Sequence, residues 1–368
     1  MRAPHSSVMT VQMPISARAC VLVFAAFCLA QAAIAQNRTG ATNAKSAAAT
    51  AQTDEPPAMS VTEWLQRMHA GARQRNYVGT FVVSAPGGDL SSARIWHVRD
   101  GEHQIERIEA LSGPQRSTFR RNSNVMTFLP EAKVVKVEKR ENLDLFPNLP
   151  DKPDSSIGDF YDVRAVGKDR VAGFDADVVQ LVPHDSLRFG YRIWSERRSG
   201  LVVKLQTIDS DSRVVEQSAF SELQLDAPVK AQALSQMMAN TAGYRIEKLE
   251  LERSNAQDEG WTLNTPVAGF KPRSFFRRPT TASDASGKPK PDAATVQWTF
   301  SDGLASVSLF IERYDAARAP RDGVLTIGAT NAIRRRLPAP MGDWWLTAVG
   351  EVPQQTLNAF AQSLARTR

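Results

Sequence analysis

Tyr77-Val78-Gly79-Thr80-Phe81-Val82-Val83 opens a series of β-branched and aromatic runs that decides the fold. Ala93-Arg94-Ile95-Trp96-His97-Val98, Gln104 to Ile108, Val125 to Leu129 and Lys133 to Val137 follow it. The series resumes with Tyr161 to Val166, Ala176 to Leu181, Tyr191 to Trp194, Leu201 to Leu205 and Val214 to Phe220. Polar turns such as Pro86-Gly87-Gly88-Asp89, Asp100-Gly101 and Asn122-Ser123-Asn124 separate the runs. About ten short strands joined by hairpin-length turns predict one large antiparallel sheet, curled or closed. Parallel βαβ folds are excluded because helical crossovers are missing.

Many of these strands carry charge on one side and bulk on the other, so an apolar face needs a cover. Ser60-Val61-Thr62-Glu63 is a capping box, and Val61, Leu65, Met68 and Ala72 recur at helical spacing, which predicts an amphipathic helix from Ser60 to Arg75. The other cover is Leu143 to Phe160, with Asn-Pro and Lys-Pro breaks. Two modest plugs leave part of a concave face unfilled, the way a sheet acquires an apolar ligand cavity. Phe81, Val83, Trp96, Met126, Phe128 and Trp194 are the bulkiest strand positions and the candidate lipid-binding wall.

Upstream, an apolar run from Ala19 is broken by Gln31 and closes on Ala33-Ile34-Ala35, the layout of a signal peptide over residues 1–35 cleaved before Gln36. Both cysteines, Cys20 and Cys28, leave with it, so the exported chain is expected to have no disulfide, thiol nucleophile or thiolate metal site. Residues 36–57 read as a disordered leader, 58–226 as the sheet domain, 227–259 as a charged linker and 260–368 as a smaller α+β domain. In the last, strands are predicted at Thr295 to Phe300, Ala305 to Ile311, Val324 to Ile327 and Trp344 to Val349, with a helix from Pro353 to Ala365. Thr280 to Ala294 reads as a mobile loop within it.

Charge is uneven: residues 261–368 hold 14 Lys and Arg against 8 Asp and Glu. In an exported protein this points to an acidic polypeptide or anionic lipid rather than nucleic acid. Phe275, Phe276, Arg277, Arg278, Arg334, Arg335 and Arg336 mix aromatic bulk with guanidinium forks suited to carboxylates or phosphates, and Trp345 adds an apolar anchor; these are the candidate partner-binding residues. His97 and His103 fall on neighbouring strands without HxH or HExxH spacing, and no GxSxG, SxxK, Walker A or GxGxxG occurs. The residues therefore predict a binding or regulatory protein with no catalytic residues, cofactor or metal.

Asn76-Tyr77-Val78-Gly79-Thr80-Phe81-Val82, Gly190-Tyr191-Arg192-Ile193-Trp194, Ser199-Gly200-Leu201-Val202-Val203-Lys204 and Val215-Glu216-Gln217 resemble the N-terminal domain of the MucB/RseB family. Ser301-Asp302-Gly303-Leu304 and Val349-Gly350-Glu351-Val352-Pro353 resemble its C-terminal domain. The resemblance implies a half-open β-barrel similar to LolA-type lipoprotein carriers, joined to a smaller α+β domain, in the periplasm. It further implies a negative regulator of the envelope-stress sigma factor. Such a protein binds the periplasmic region of a membrane-spanning anti-sigma factor and shields it from site-1 proteolysis, and lipopolysaccharide or lipoprotein acyl chains release it. The alternative is a periplasmic lipoprotein carrier or lipid-binding protein without a regulatory partner. No motif fixes the contact residues, and homo-oligomerisation stays open.

Overall fold

A computed structural model describes residues 59–139, 155–278, 295–316, 321–339 and 342–367, apart from positions 89, 102 and 250. The expected signal peptide, the leader, most of the Leu143 to Phe160 segment and the Thr280 to Ala294 loop lie outside the described residues.

The chain enters through helix α1 (Val61–Gln74), whose start is fixed by the expected reciprocal cap: Ser60 accepts from the Glu63 amide while the Glu63 carboxylate accepts from the Ser60 amide. Six strands follow, β1 (Tyr77–Ser84), β2 (Leu90–Asp100), β3 (His103–Ala110), β4 (Ser117–Arg121), β5 (Asn124–Leu129) and β6 (Val134–Lys139). After a 3-10 turn at Ser155–Asp159 come β7 (Tyr161–Val171), β8 (Phe174–Pro183), β9 (Gly190–Glu196), β10 (Val202–Ile208) and β11 (Val214–Leu225). Helix α2 (Ala231–Ala239) and β12 (Arg245–Lys248) complete the unit. The twelve strands form one sheet in the order β12-β6-β5-β4-β3-β2-β1-β11-β10-β9-β8-β7. All neighbours are antiparallel except β12 on β6. The outermost strands do not pair with each other, so the barrel is half open. It is nonetheless rolled: β7 bends at a bulge between Ala165 and Gly167 and comes back against β11, although three strands intervene.

The two helices cover opposite faces. Val61, Trp64, Leu65 and Met68 of α1 pack on Val179, Leu181, Tyr191, Ile193 and Leu205. Leu234 and Met238 of α2 pack on Val98, Ile105, Phe119, Phe128 and Val135. Direct pairing of Leu205 with Ser218, Ser218 with Val83 and Tyr77 with His97 carries the α1 face across to β2, where Val98, one residue on from His97, points the other way. Residues 227–259, expected as a linker, are therefore divided between units: α2 and β12 complete the first sheet and the next strand begins the second.

That second unit comprises β13 (Glu252–Arg253), β14 (Trp261–Leu263), β15 (Lys271–Arg278), β16 (Thr295–Ser301), β17 (Ser306–Arg313), β18 (Gly323–Ile327), β19 (Thr330–Leu337) and β20 (Trp344–Gly350). It ends in helix α3 (Gln354–Ser363) and β21 (Leu364–Arg366). Seven strands run in the order β13-β15-β16-β17-β20-β19-β18, and β14 pairs with β21. Leu357, Phe360 and Ala361 of α3 pack on one face, against Trp298, Phe300, Leu309, Ile311, Ile333 and Leu346. The two arginine runs, Arg277-Arg278 and Arg334-Arg335-Arg336, are strand residues of β15 and β19 rather than loops.

Candidate functional site

Strand register sorts the candidate partner-binding residues onto two faces. Phe276 aligns with Gln297, Phe310, Thr347 and Arg334 in one cross-strand row, on the face away from α3. Arg278, Trp345 and Arg336 lie in a parallel row on the same face. Phe275, Arg277 and Arg335 alternate to the other face, and Phe275 is buried there against Trp298. The outward face thus joins five of the eight candidates, Phe276, Arg278, Arg334, Arg336 and Trp345, and adds Phe310 and Tyr314. Its arginines lie over rings: Arg278 is 5.8 Å from the Phe310 centroid and Arg336 is 4.4 Å from that of Tyr314. Arg336 also pairs with Asp343, and Trp345 is buried beside Tyr314. Arg334 is exposed. A half-buried sheet surface of guanidinium groups and aromatic rings has the composition of an interface for carboxylates and apolar side chains.

The six candidate wall residues do not line one space. Phe81, Val83 and Trp194 share a buried cluster with Tyr77, Ile95, Val178, Leu201 and Phe220. Trp96, Met126 and Phe128 belong to the face covered by α2, where Phe128 meets Phe119 and Tyr244 edge-on. Arg94 and Arg107 flank the Trp96 ring, at 5.4 Å and 4.7 Å.

A polar row runs through the α1 side of the first sheet, where Tyr77, His97, Glu106 and Arg120 stand side by side across β1 to β4. The Tyr77 and His97 rings stack at 4.9 Å; Glu106 takes His97 Nδ1 at 2.7 Å and an Arg120 guanidinium nitrogen at 2.7 Å. Burial on its own would raise the Glu106 pKa, but Arg120 and His97 outweigh it and hold the carboxyl below its ordinary value. His103 is exposed and bonds Asn122, so the two strand histidines have separate partners. Among the described residues no group of three or more His, Cys, Asp or Glu is placed to hold a metal.

The junction between the units is built on Arg188, which no sequence pattern singled out. It is fully buried, donates from Nε to Asp302 at 2.7 Å and from Nη2 to the Ala268 carbonyl at 2.7 Å, and also pairs with Asp185. Its guanidinium lies between the Phe160 and Phe270 rings, 4.3 Å and 5.0 Å from their centroids. Asp302 in turn accepts the Leu304 and Ala305 amides and, at 3.4 Å, the Tyr161 hydroxyl. Burial pushes the Asp302 carboxyl up, against those amides and Arg188. Gly269, at φ 79°, makes room: a Cβ there would overlap the guanidinium. Further contacts tie the same seam, Thr356 to the Leu187 carbonyl at 2.7 Å and the Ala329 amide to Glu216 at 3.2 Å. Asp302, within Ser301-Asp302-Gly303-Leu304, was the signal in the sequence, although its role needs a partner 114 residues away.

A rolled sheet with apolar interiors, pinned to a second sheet that presents arginines and aromatics, defines a two-domain binding protein. The sequence matches the MucB/RseB N-terminal domain over residues 60–238 and the MucB/RseB C-terminal domain over residues 255–365, and the chain belongs to that family. Among its relatives, the sigma factor AlgU regulatory protein MucB of Pseudomonas aeruginosa is 29% identical over 318 residues, spanning 83% of this chain and 91% of the relative. The sigma-E factor regulatory protein RseB of Escherichia coli K12 is 24% identical over 301 residues, spanning 82% and 89%. Among solved structures, the Pseudomonas aeruginosa MucA/MucB complex matches with a TM-score of 0.64 at 26% identity over 83% of this chain and 99% of the matched one. MucB in complex with MucA(peri) matches with a TM-score of 0.62 at 26% identity, over 83% and 98%.

Proposed function

We propose that this chain is a periplasmic regulatory binding protein. It binds the periplasmic region of a membrane-spanning anti-sigma factor, shields it from site-1 proteolysis and so represses an envelope-stress sigma factor. The observation that carries this reading is the likeness, across both domains, to MucB as it stands in complex with MucA. The outward face of the second sheet is the grip, with Arg278, Arg334 and Arg336 meeting carboxylates and the part-exposed Phe276 and Tyr314 framing an apolar contact, Trp345 being buried beneath as their support. The first domain is the ligand-responsive part, its acyl-binding wall formed by Phe81, Val83 and Trp194, with Trp96, Met126 and Phe128 beneath α2 as a second apolar lodging. Each methylene buried there contributes about 0.8 kcal/mol, so a partly inserted acyl chain gains several kcal/mol toward binding.

Titration calorimetry with the anti-sigma factor's purified periplasmic region tests this. Replacing Arg334, Arg335 and Arg336 together by Ser should weaken binding while the fold is retained, and the site-1 protease should then cut the partner faster. Affinity should also fall with salt, because exposed pairs are screened over about 8 Å at physiological ionic strength. A folded triple variant with unchanged affinity at low and high salt would remove this face from the interface.

A further inference from the structure

Of the four strands that end the two large sheets, three are defended against pairing with another chain and one is not. Strand β7 carries Arg164, Lys168, Asp169 and Arg170, β12 carries Arg245, Glu247 and Lys248, and β13 is Glu252-Arg253. Charged side chains are the usual guard on an open edge, whose unpaired N–H and C=O groups otherwise template a further strand. Strand β18 reads Gly323-Val324-Leu325-Thr326-Ile327 and carries no charge. Val324 is 60% exposed and Leu325 is 45% exposed. They point to opposite faces, since Val324 pairs with Ile333 on the α3 side and Leu325 with Ala332 on the outward side. A strand laid beside β18 would therefore find an apolar neighbour on both faces and, among the described residues, no strand already there.

We infer that β18 is a docking edge that takes one extended, acidic segment of the anti-sigma factor's periplasmic region as an added strand. The inference rests on the function proposed above and names how the partner is held. Main-chain hydrogen bonds supply affinity in such an addition, and side chains alternating across the sheet supply the choice of sequence. The charge around β18 selects an acidic occupant. Arg321 lies two residues before the strand, and Arg334 on the neighbouring β19 pairs with Gly323; both are exposed. The adjacent acid, Asp322, already accepts the Arg336 amide at 3.0 Å. The far end of β18 is tied to the first domain, which fixes the edge in place. Its turn, Gly328-Ala329, sits against Glu216 of the first domain, with the Ala329 amide bonded to that carboxylate.

Hydrogen exchange on the full chain, with and without the purified periplasmic region, tests the inference directly. Amides within Gly323 to Ile327 should exchange at least tenfold more slowly in the complex. The double variant Val324→Asp/Leu325→Asp alters two exposed positions, so it should melt as the wild type does and bind the partner at least tenfold more weakly. A wild-type complex in which β18 exchanges as in the free protein overturns the docking edge and leaves the proposed function standing. Failure of the wild-type chain to bind the periplasmic region at all overturns both. If the double variant keeps full partner affinity and instead lowers the sedimentation mass of the free protein, the edge serves a second copy and the inference is wrong.

Discussion

The first domain has a helix on each face of its sheet and charge on each outer strand, whereas the second, among the described residues, has a helix on one face only and leaves the other face and β18 without a covering element. The first thus encloses and the second presents. Buried polar groups follow the same division. In the first domain they form a row inside the sheet, His97 to Glu106 to Arg120, which fixes strand order by requiring each partner opposite the next. A buried ion pair, Arg188 with Asp302, sits instead at the seam and ties together units with different tasks.

That contrast can be broken most severely at the seam. Arg188→Ala leaves Asp302 buried without its cation, and removing one partner of a buried pair costs about 3–5 kcal/mol. Calorimetry should show one cooperative transition for the wild type and two for the variant, as each domain melts by itself. The next largest effect falls inside the first domain. Glu106→Gln keeps the shape but removes the charge that His97 and Arg120 share, a loss of about 1–3 kcal/mol. The native carboxyl titrates below its unfolded value, so the stability it adds is complete above that value and is lost as the pH falls through the lowered one. Chemical denaturation should show the wild type approaching the variant at acid pH, and a gap that stays constant with pH would remove Glu106 from the ionic row. Smallest is the cover: Ser60→Ala deletes the cap of α1 and should cost about 1 kcal/mol. Exchange at α1 amides should quicken while α2 and α3 are unchanged.

Alternation made most of the first sheet legible, because Phe81 and Val83, or Val179 and Leu181, are buried two residues apart with a less buried residue between them. It failed where neighbours in sequence are alike. Ser117-Thr118-Phe119-Arg120-Arg121 looks like a polar connector, and Arg120 becomes a strand interior only because Glu106 lies across from it. Arg334-Arg335-Arg336 shows no period, yet the strand places its members on alternate faces. The wall residues were chosen by bulk alone, and bulk does not report which face a strand turns inward. Phe81 and Trp96, both in the first hairpin, lie on opposite sides of the sheet. Arg188 had no local pattern to reveal it, and the stretch that holds Asp302 did not say what the carboxylate does, since their pairing exists only once two domains have folded and met.

Three residues separate the end of β12 at Lys248 from the start of β13 at Glu252, so the covalent connection between the domains is itself a strand of the first sheet. Once the Arg188–Asp302 seam has opened, a pull on the second domain is delivered along β12, parallel to β6, and loads that ladder in shear with its bonds strained together instead of one after another. Bonds loaded together in this way hold better than bonds peeled one by one, so the outer edge of the rolled sheet anchors the connection between the domains.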